Sequence, residues 1–377
     1  MIYLTYADQP SGVYSSQVID VCNYLNQKAG AKIKLVSFIS LHNFYANKAK
    51  IKAEFSTAVV LPMIPRMSAW KINSIWFSLY MLFSKEKSII TRNVMACKIA
   101  LDARKKGVAK KVCFDGRGAI AAEWNEYNVV NIPAFKQGIT SWENDAVNNS
   151  DYRIAVSEKL VDYWNKNYNY VDKNHIIIPC TLNSNFEPSL PNEKETEDLR
   201  AELGFNGDDV VLVYSGSTAG WQSFNMLKSF LEKALSEPNT KVLFLSESDK
   251  NIEELKLQFP NKVANKFVKH KDVTQYLSAC DYGILLREDT VTNRVASPTK
   301  FAEYLSAGLK VLISENIGDY SAFTKKNNCG EILKEHAEIS LQKVSIDERK
   351  RMIDLVIKNF TKDANLSAYQ KLLNAIT

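Results

Sequence analysis

Arg287–Ser314, REDTVTNRVASPTKFAEYLSAGLKVLIS, follows one apolar run, Tyr282–Leu286, and ends on another, Lys310–Ile313. Between them stand a polar loop and a helix with its own punctuation. Ser297 is the expected N-cap. Pro298 is the expected first helical residue, where a missing amide hydrogen leaves nothing unsatisfied. Phe301, Tyr304 and Leu305 form an apolar stripe at helical spacing, and Gly308 ends the helix. Strand, loop, helix and strand in this order make one unit of a parallel sheet.

The same alternation runs along the chain. Ile2–Tyr6, Ile33–Ile39, Thr57–Leu61, Ser88–Thr91, Lys111–Asp115, Tyr152–Val156 and His175–Ile178 read as strands. Helical patterns such as Ser15–Lys28, Asn93–Lys106 and Glu158–Asn167 lie between them. The pattern pauses from Pro179 to about Asn206, a polar, acidic stretch with three prolines. It resumes with strands at Val210–Tyr214, Lys241–Leu245, Val263–Val268, Tyr282–Leu286 and Lys310–Ile313. Helices are expected at Gln222–Ser236, Ile252–Phe259, Val273–Ala279 and Thr299–Ala307, and a strand-free helical tail from about Asp347. The expected division is therefore an N-terminal α/β domain over 1–183, a linker over 184–206, a second α/β domain over 207–350 and terminal helices over 351–377. In such sheets ligands bind beyond the carboxyl ends of the strands, here in a cleft between the domains.

Composition narrows the class. At 377 residues with 46% hydrophobic and 24% charged residues, the chain is neither disordered nor fibrous. The net charge of +6 is unevenly spread: residues 1–183 carry 23 Lys/Arg against 14 Asp/Glu, and residues 184–377 carry 25 against 28. Six scattered Cys and four isolated His argue against zinc sites and disulfides and for reduced thiols in a cytoplasm. MIYLTYADQPSG lacks the charge pattern of a secretory signal and reads as a first strand.

Three segments carry candidate chemistry. The helix opening at Thr299 aims its amides and positive end beyond the strand ends, which suits a phosphate; Lys300 adds a full charge. Glu303, one turn on, can accept hydrogen bonds from a sugar diol. The same residues also fit a capped helix with a solvated Lys and Glu. Arg287 is a candidate phosphate ligand, or a surface partner of Glu288 or Asp289. In Asp8-Gln9-Pro10-Ser11-Gly12-Val13, Gly12 lets the backbone turn after the first strand and approach a bulky ligand, or simply makes a tight turn. In Asp115-Gly116-Arg117-Gly118, Asp115 could orient or deprotonate an acceptor hydroxyl and Arg117 bind an acceptor pyrophosphate. A structural Asp–Arg pair is the competing reading.

Ser297-Pro298-Thr299-Lys300-Phe301-Ala302-Glu303-Tyr304-Leu305 with Gly308 resembles the donor-site motif of the family 4 retaining glycosyltransferases, which have the GT-B fold. Tyr214-Ser215-Gly216-Ser217 with Gly220-Trp221-Gln222, the Gly12 loop, Asp115–Gly118, Val156-Ser157 and Ile178-Pro179-Cys180 resemble other motifs of that family in the same order. The resemblance implies two Rossmann-like domains facing across a cleft, with C-terminal helices returning to the N-domain. It also implies that Glu303 binds the nucleotide ribose, that the Thr299–Lys300 amides hold the diphosphate, and that Gly12, Ser217 and Ser297 contribute to the donor site. The basic pair expected after the Tyr214 strand is absent, so Arg287 and Lys300 are its expected substitutes. The family's second glutamate falls at Val295, leaving Asn293 and Arg294 to contact the transferred sugar. No Asp-x-Asp metal motif occurs, and no metal or cofactor is expected.

Ala69–Phe83, AWKINSIWFSLYMLF, is too short to span a bilayer but suits an interfacial helix, with Lys71, Ser74 and Ser78 on its polar side. Trp70, Trp76 and Phe77 are the expected membrane or acceptor contacts. Lys85, Lys87, Arg92, Lys98, Arg104, Lys105, Lys106, Lys110 and Lys111 crowd the sequence after it and would favour anionic lipid. A buried helix beside a solvated basic face is the alternative; nucleic acid lacks a motif. The expectation is a cytoplasmic, metal-independent retaining glycosyltransferase, peripheral on the inner membrane. It would move a sugar from a nucleotide diphosphate, UDP by default, to a glycan or polyprenyl-diphosphate-linked acceptor in capsule or lipopolysaccharide assembly. A nucleotide-sugar epimerase and a non-catalytic transferase-like subunit are the alternatives.

Overall fold

The computed structural model describes residues 1–184, 188–216, 224–269, 272–334 and 340–377. The described strands form two all-parallel sheets. The first contains β1 (Ile2–Tyr6), β2 (Lys34–Ile39), β3 (Val59–Pro62), β4 (Ser88–Arg92), β5 (Lys111–Gly116), β6 (Tyr152–Ala155) and β7 (His175–Ile177). They lie in the order β3-β2-β1-β4-β5-β6-β7. The second contains β8 (Val210–Ser215), β9 (Thr240–Leu245), β10 (Val263–Asn265), β11 (Tyr282–Leu285), β12 (Lys310–Ser314) and β13 (Gly330–Leu333), in the order β10-β9-β8-β11-β12-β13. Every residue of β1 and β8 is buried, because helices cover both faces of a parallel sheet and its central strands must be apolar throughout. Strand order reverses at β1/β4 in the first sheet and at β8/β11 in the second, the positions where doubly wound sheets bind ligands.

The chain divides into two compact units. One comprises Met1–Ser184, Val295–Ser297 and Lys362–Thr377; the other comprises Asn185–Arg294 and Pro298–Thr361. Of the terminal helices, only Leu366–Ile376 returns to the first unit, while Ile346–Asn359 stays with the second. Tyr369, Leu372, Leu373 and Ile376 enter the first core, each such side chain contributing roughly 1.5–3 kcal/mol when fully buried. Lys362 secures the approach. Its Nζ donates to the Leu182 carbonyl at 2.6 Å and pairs with Asp20, and the Tyr24 hydroxyl donates to Asp363 at 2.7 Å.

A helix and a strand of the second unit escape the sequence pattern with consequences for its packing. The expected linker holds a helix, Glu193–Glu202, capped by Asn192. Its buried Arg200 donates to Asp281 at 2.8 Å, and Arg349 reaches the other carboxylate oxygen of Asp281 at 2.9 Å. The charged run that reads as a linker is thus a helix whose Leu199 and Arg200 alone are buried. The edge strand β13 needs Gly330, since a Cβ there would lie 1.9 Å from the Val311 carbonyl oxygen.

One contact seats the helix Thr299–Ser306 against the second sheet. The Tyr304 ring lies flat on Gly283 of β11, where an added Cβ would come within 2.1 Å of it. Its hydroxyl accepts from the Ser215 amide at 3.1 Å and donates to the Ile284 carbonyl at 3.3 Å. Phe301 stacks on Tyr320 with centroids 4.3 Å apart. After Ala307, Gly308 adopts φ +77°, the left-handed turn that ends the helix.

Two outcomes follow for stability. Gly283→Ala must displace Tyr304 and is expected to cost about 1–3 kcal/mol in urea unfolding. Glu143 is fully buried and accepts from the amides of Ile120 and Ala121 and from the Tyr168 hydroxyl. Burial nevertheless raises its pKa to about 7. The folded state therefore holds a proton that the unfolded chain releases near pH 4.3, so stability from this group declines as pH rises between those values, by ~3 kcal/mol in all. Unfolding measured across pH 4.5–7.5 should show this decline, and Glu143→Gln should flatten it.

Candidate active site

The first turn of the helix Thr299–Ser306 carries the charged pair expected from the sequence, and the two side chains are engaged with each other. Lys300 Nζ donates to Glu303 Oε2 at 2.8 Å, with side chains 24% and 12% exposed. Pairing holds both heads at the start of the helix, beyond the carboxyl end of β11. A ligand bearing both phosphate and diol can separate them: the phosphate takes the ammonium, the hydroxyls donate to the carboxylate. Thr299, half-buried, opens the helix. Ser297 does not cap it. Pro298 occupies the N-cap position, and Ser297 Oγ instead accepts from the Cys180 amide at 2.9 Å, within the first unit.

The loop before the helix is built around Asn293, which is fully buried. Its Nδ2 donates to the Glu288 carbonyl at 3.0 Å and its carbonyl accepts from the Gly318 amide. Arg287 Nη1 reaches Asn293 Oδ1 at 3.3 Å, and the Arg287 amide donates to Ser314 Oγ at 2.8 Å. Asp289 is occupied by Arg294, through bonds of 2.5 and 2.9 Å. Asn293 thus serves the loop's own shape and holds the Arg287 guanidinium near the carboxyl ends of β11 and β12. Val295 is buried, and its carbonyl accepts from Ser157 Oγ at 2.8 Å. Ser217, with Gly220, Trp221 and Gln222, lies outside the described residues.

In the first unit, Asp115 ends β5 fully buried. Arg117 Nε lies 2.8 Å from one carboxylate oxygen and Arg117 Nη2 donates to the other at 3.0 Å, where the Tyr3 hydroxyl also donates at 2.5 Å. Asp115 and Arg117 are therefore brought together as an ion pair, although Asp115 Oδ1 and Arg117 Nε, in contact, make no hydrogen bond among the described residues. Gly116 lies beneath Trp164, leaving no room for a Cβ. Gly12 opens a short helix capped by Ser11 and is exposed. The left-handed residue of that loop is Ala7, at φ +67°, rather than Gly12. Asn93, directly after β4, has the same φ. Both stand beyond the strand ends where the order reverses, with Asp8 and Arg92 beside them. In the sequence Arg92 falls in the basic run expected to favour anionic lipid and Asp8 in the Gly12 loop, while Asn93 carries no signal; what the sequence does offer is a charged residue at or just past the end of each of two apolar strands.

The helix Trp70–Phe83 turns an apolar stripe outward, as an interfacial helix would, with Trp76 exposed but Phe77 buried. Asn73, Ser74, Phe77, Ser78 and Met81 face inward. Asn73 accepts from the Ile64 amide and donates to the Tyr6 hydroxyl, and Ser74 bonds Asp102. Phe77, expected on the outer face, packs against Phe38 and Tyr80 instead. The outer face comprises Ile72, Ile75, Trp76 (52% exposed), Leu79, Leu82 and Phe83 (90% exposed). Trp70 is half-buried on Trp142. Three of the basic residues that follow are held by acidic neighbours: Lys98 by Asp145, Arg104 by Asp151 and Lys106 by Asp102. Among the described residues no helix is long and apolar enough to cross a membrane, and no three His, Cys, Asp or Glu gather as a metal site.

No protein-family model and no curated protein matches the chain. Solved structures do. Sucrose-phosphate synthase from Thermosynechococcus elongatus superposes with a TM-score of 0.70 at 13% identity, over 99% of this chain and 98% of that one. The lipopolysaccharide outer core galactosyltransferase WaaB, in its apo form, gives 0.66 at 13% identity over 100% and 99%. HepE from Anabaena, in complex with UDP and glucose, gives 0.60 at 14% over 99% and 95%. At these identities the likeness is one of fold: two Rossmann-like parallel-sheet units, the GT-B fold.

Proposed function

We propose that this chain is a glycosyltransferase that takes a nucleotide-diphosphate sugar as donor and a sugar as acceptor. The observation that carries the proposal is the Lys300–Glu303 pair at the start of a helix seated at the strand-order reversal of the second sheet. Its cation suits a diphosphate and its carboxylate suits ribose hydroxyls, and Arg287, held by Asn293, supplies a second cation. A solved structure of the same fold is described as a complex with UDP and glucose, which supports UDP as the nucleotide.

Transfer then depends on stabilising the departing diphosphate with Arg287, Lys300 and the helix start. Glu303 and Asp115 are engaged by Lys300 and Arg117, and we propose front-face transfer with retention, the leaving phosphate accepting the acceptor's proton. No metal or cofactor is assigned a role. The acceptor is proposed to be a glycan or lipid-linked glycan in cell-surface polysaccharide assembly, a reading supported by the fold shared with a lipopolysaccharide galactosyltransferase. The proposed location is the cytoplasmic face of the inner membrane. Its support is the outward apolar stripe of Trp70–Phe83, with exposed Lys71 and Lys85 at its ends to meet anionic headgroups.

Calorimetry with UDP, GDP, ADP and their glucose conjugates tests the donor site. UDP is expected to bind saturably, and Lys300→Ala and Glu303→Ala to weaken it about tenfold or more each, the loss of a charge-assisted hydrogen bond. No binding by any nucleotide, or unchanged affinity in both variants, would remove the proposal. Release of an epimerised sugar from donor alone would replace it with an epimerase. For the membrane face, co-sedimentation with vesicles containing anionic lipid should fall sharply in Trp76→Ser/Phe83→Ser. An unchanged pellet fraction would dismiss the interfacial role.

A further inference from the structure

At the carboxyl ends of β1, β4 and β5 stand four charged side chains, Asp8 and Arg117 just past their strands and Arg92 and Asp115 within the last two residues of theirs. They are two pairs in sequence order but not in structure. Asp115 and Arg117 neutralise each other through two contacts, and Tyr3 takes a further acceptor position on the carboxylate. Nothing comparable joins Asp8 to Arg92. The Asp8 carboxylate accepts one long bond, from Asn93 Nδ2 at 3.3 Å. Arg92 Nη1 is sealed from solvent and has no hydrogen-bond partner among the described residues. The two charges feel each other without touching, and burial with the nearby Asp115 charge pushes the Asp8 carboxyl up while Arg92 pulls it down.

A buried guanidinium N–H without an acceptor is a standing cost to the fold, and proteins keep such groups where something else completes them. What completes this one must offer an acceptor to Arg92 and a donor to Asp8. A phosphate brings negative charge and mostly acceptors, and would face the carboxylates of Asp8 and Asp115. A hydroxyl offers both, and neighbouring hydroxyls on a sugar ring offer both at once with no net charge. We infer that Arg92 and Asp8 form a hydroxyl-binding site for a neutral sugar ring in the first unit, with Asn93 holding the Asp8 carboxylate. This inference rests on the proposal that the chain handles sugars. The ring can come from a free acceptor or from the sugar of the donor.

Asn93 is committed to support. Its Oδ1 accepts from the amides of Met95 and Ala96, and its Nδ2 contacts both the Tyr6 carbonyl and Asp8. This ties the first turn of the helix Asn93–Lys105 to the end of β1 and holds Asp8 opposite Arg92.

Saturation-transfer NMR on the full chain tests the site, with methyl α-glucoside, methyl α-galactoside and N-acetylglucosamine as probes and inorganic phosphate as control. At least one sugar is expected to bind, and Arg92→Met and Asp8→Asn to weaken it about tenfold or more, with partial recovery in Arg92→Lys. The melting temperature of Arg92→Met should be unchanged or higher, because an apolar chain of similar length removes an unsatisfied group; a merely structural arginine would lower it. UDP affinity, measured in parallel by calorimetry, should be the same in all variants. If UDP fails to bind the wild type while the sugar signal depends on Arg92, the donor proposal falls and this site stands. Loss of UDP-glucose affinity relative to UDP in Arg92→Met identifies the ring as the donor's, and retention identifies it as the acceptor's. A wild type that binds none of the sugars, sugar binding indifferent to Arg92 and Asp8, or displacement of sugar by phosphate overturns the inference.

Discussion

The second unit depends on a glycine that accepts a ring. Gly283 is in the middle of β11, where a side chain would ordinarily project towards the covering helix, and the Tyr304 ring occupies that space. The phenol then reaches past the sheet surface to bond the backbone of β8 and β11 together. This one packing contact sets the height and rotation of the helix Thr299–Ser306. Lys300 and Glu303 owe their position to it, since both project from the turn just before Tyr304. The chemistry proposed for the donor is in this sense a consequence of a missing Cβ.

The first unit shows how little separates a structural charge pair from a site. Asp115 and Arg117 are on one strand-end loop, two residues apart, and close on each other. Asp8 follows β1 and Arg92 ends the neighbouring β4, and no ion pair joins them among the described residues. Desolvating charges without pairing them is costly, which makes the open arrangement the informative one. Left-handed backbone at Ala7 and Asn93, on either side of the strand-order reversal, adds to that cost at the same place.

The helix Trp70–Phe83 reverses the usual amphipathic rule. Asn73, Ser74 and Ser78 are inside because each has a specific buried partner: Asn73 with Ile64 and Tyr6, Ser74 with Asp102, Ser78 with the Ser74 carbonyl. With those bonds made, the apolar stripe can only face outward. A large apolar patch in that position is unusual for a surface that meets only water.

How far the sequence alone reaches can be judged element by element. Twelve of the thirteen described strands were legible, because an all-parallel sheet covered on both faces demands continuous apolar runs with turn signals between them. β13 was too short and too polar to register, and the helix Glu193–Glu202 was hidden by its acidic composition. The two α/β domains and the helix bearing Lys300 and Glu303 were readable from local spacing, and the GT-B fold from the resemblance of the chain's motifs to a known family. Partnerships were not. That Ser297 bonds Cys180, that Phe77 points inward, that Asp115 meets Arg117 and Tyr3, and that Arg92 Nη1 has no hydrogen-bond partner among the described residues all depend on strands and loops far apart in the chain. Periodicity reports which face of an element is apolar. Only the tertiary structure decides what each polar atom meets, because that is set by the register between strands and by side chains brought together from separate segments.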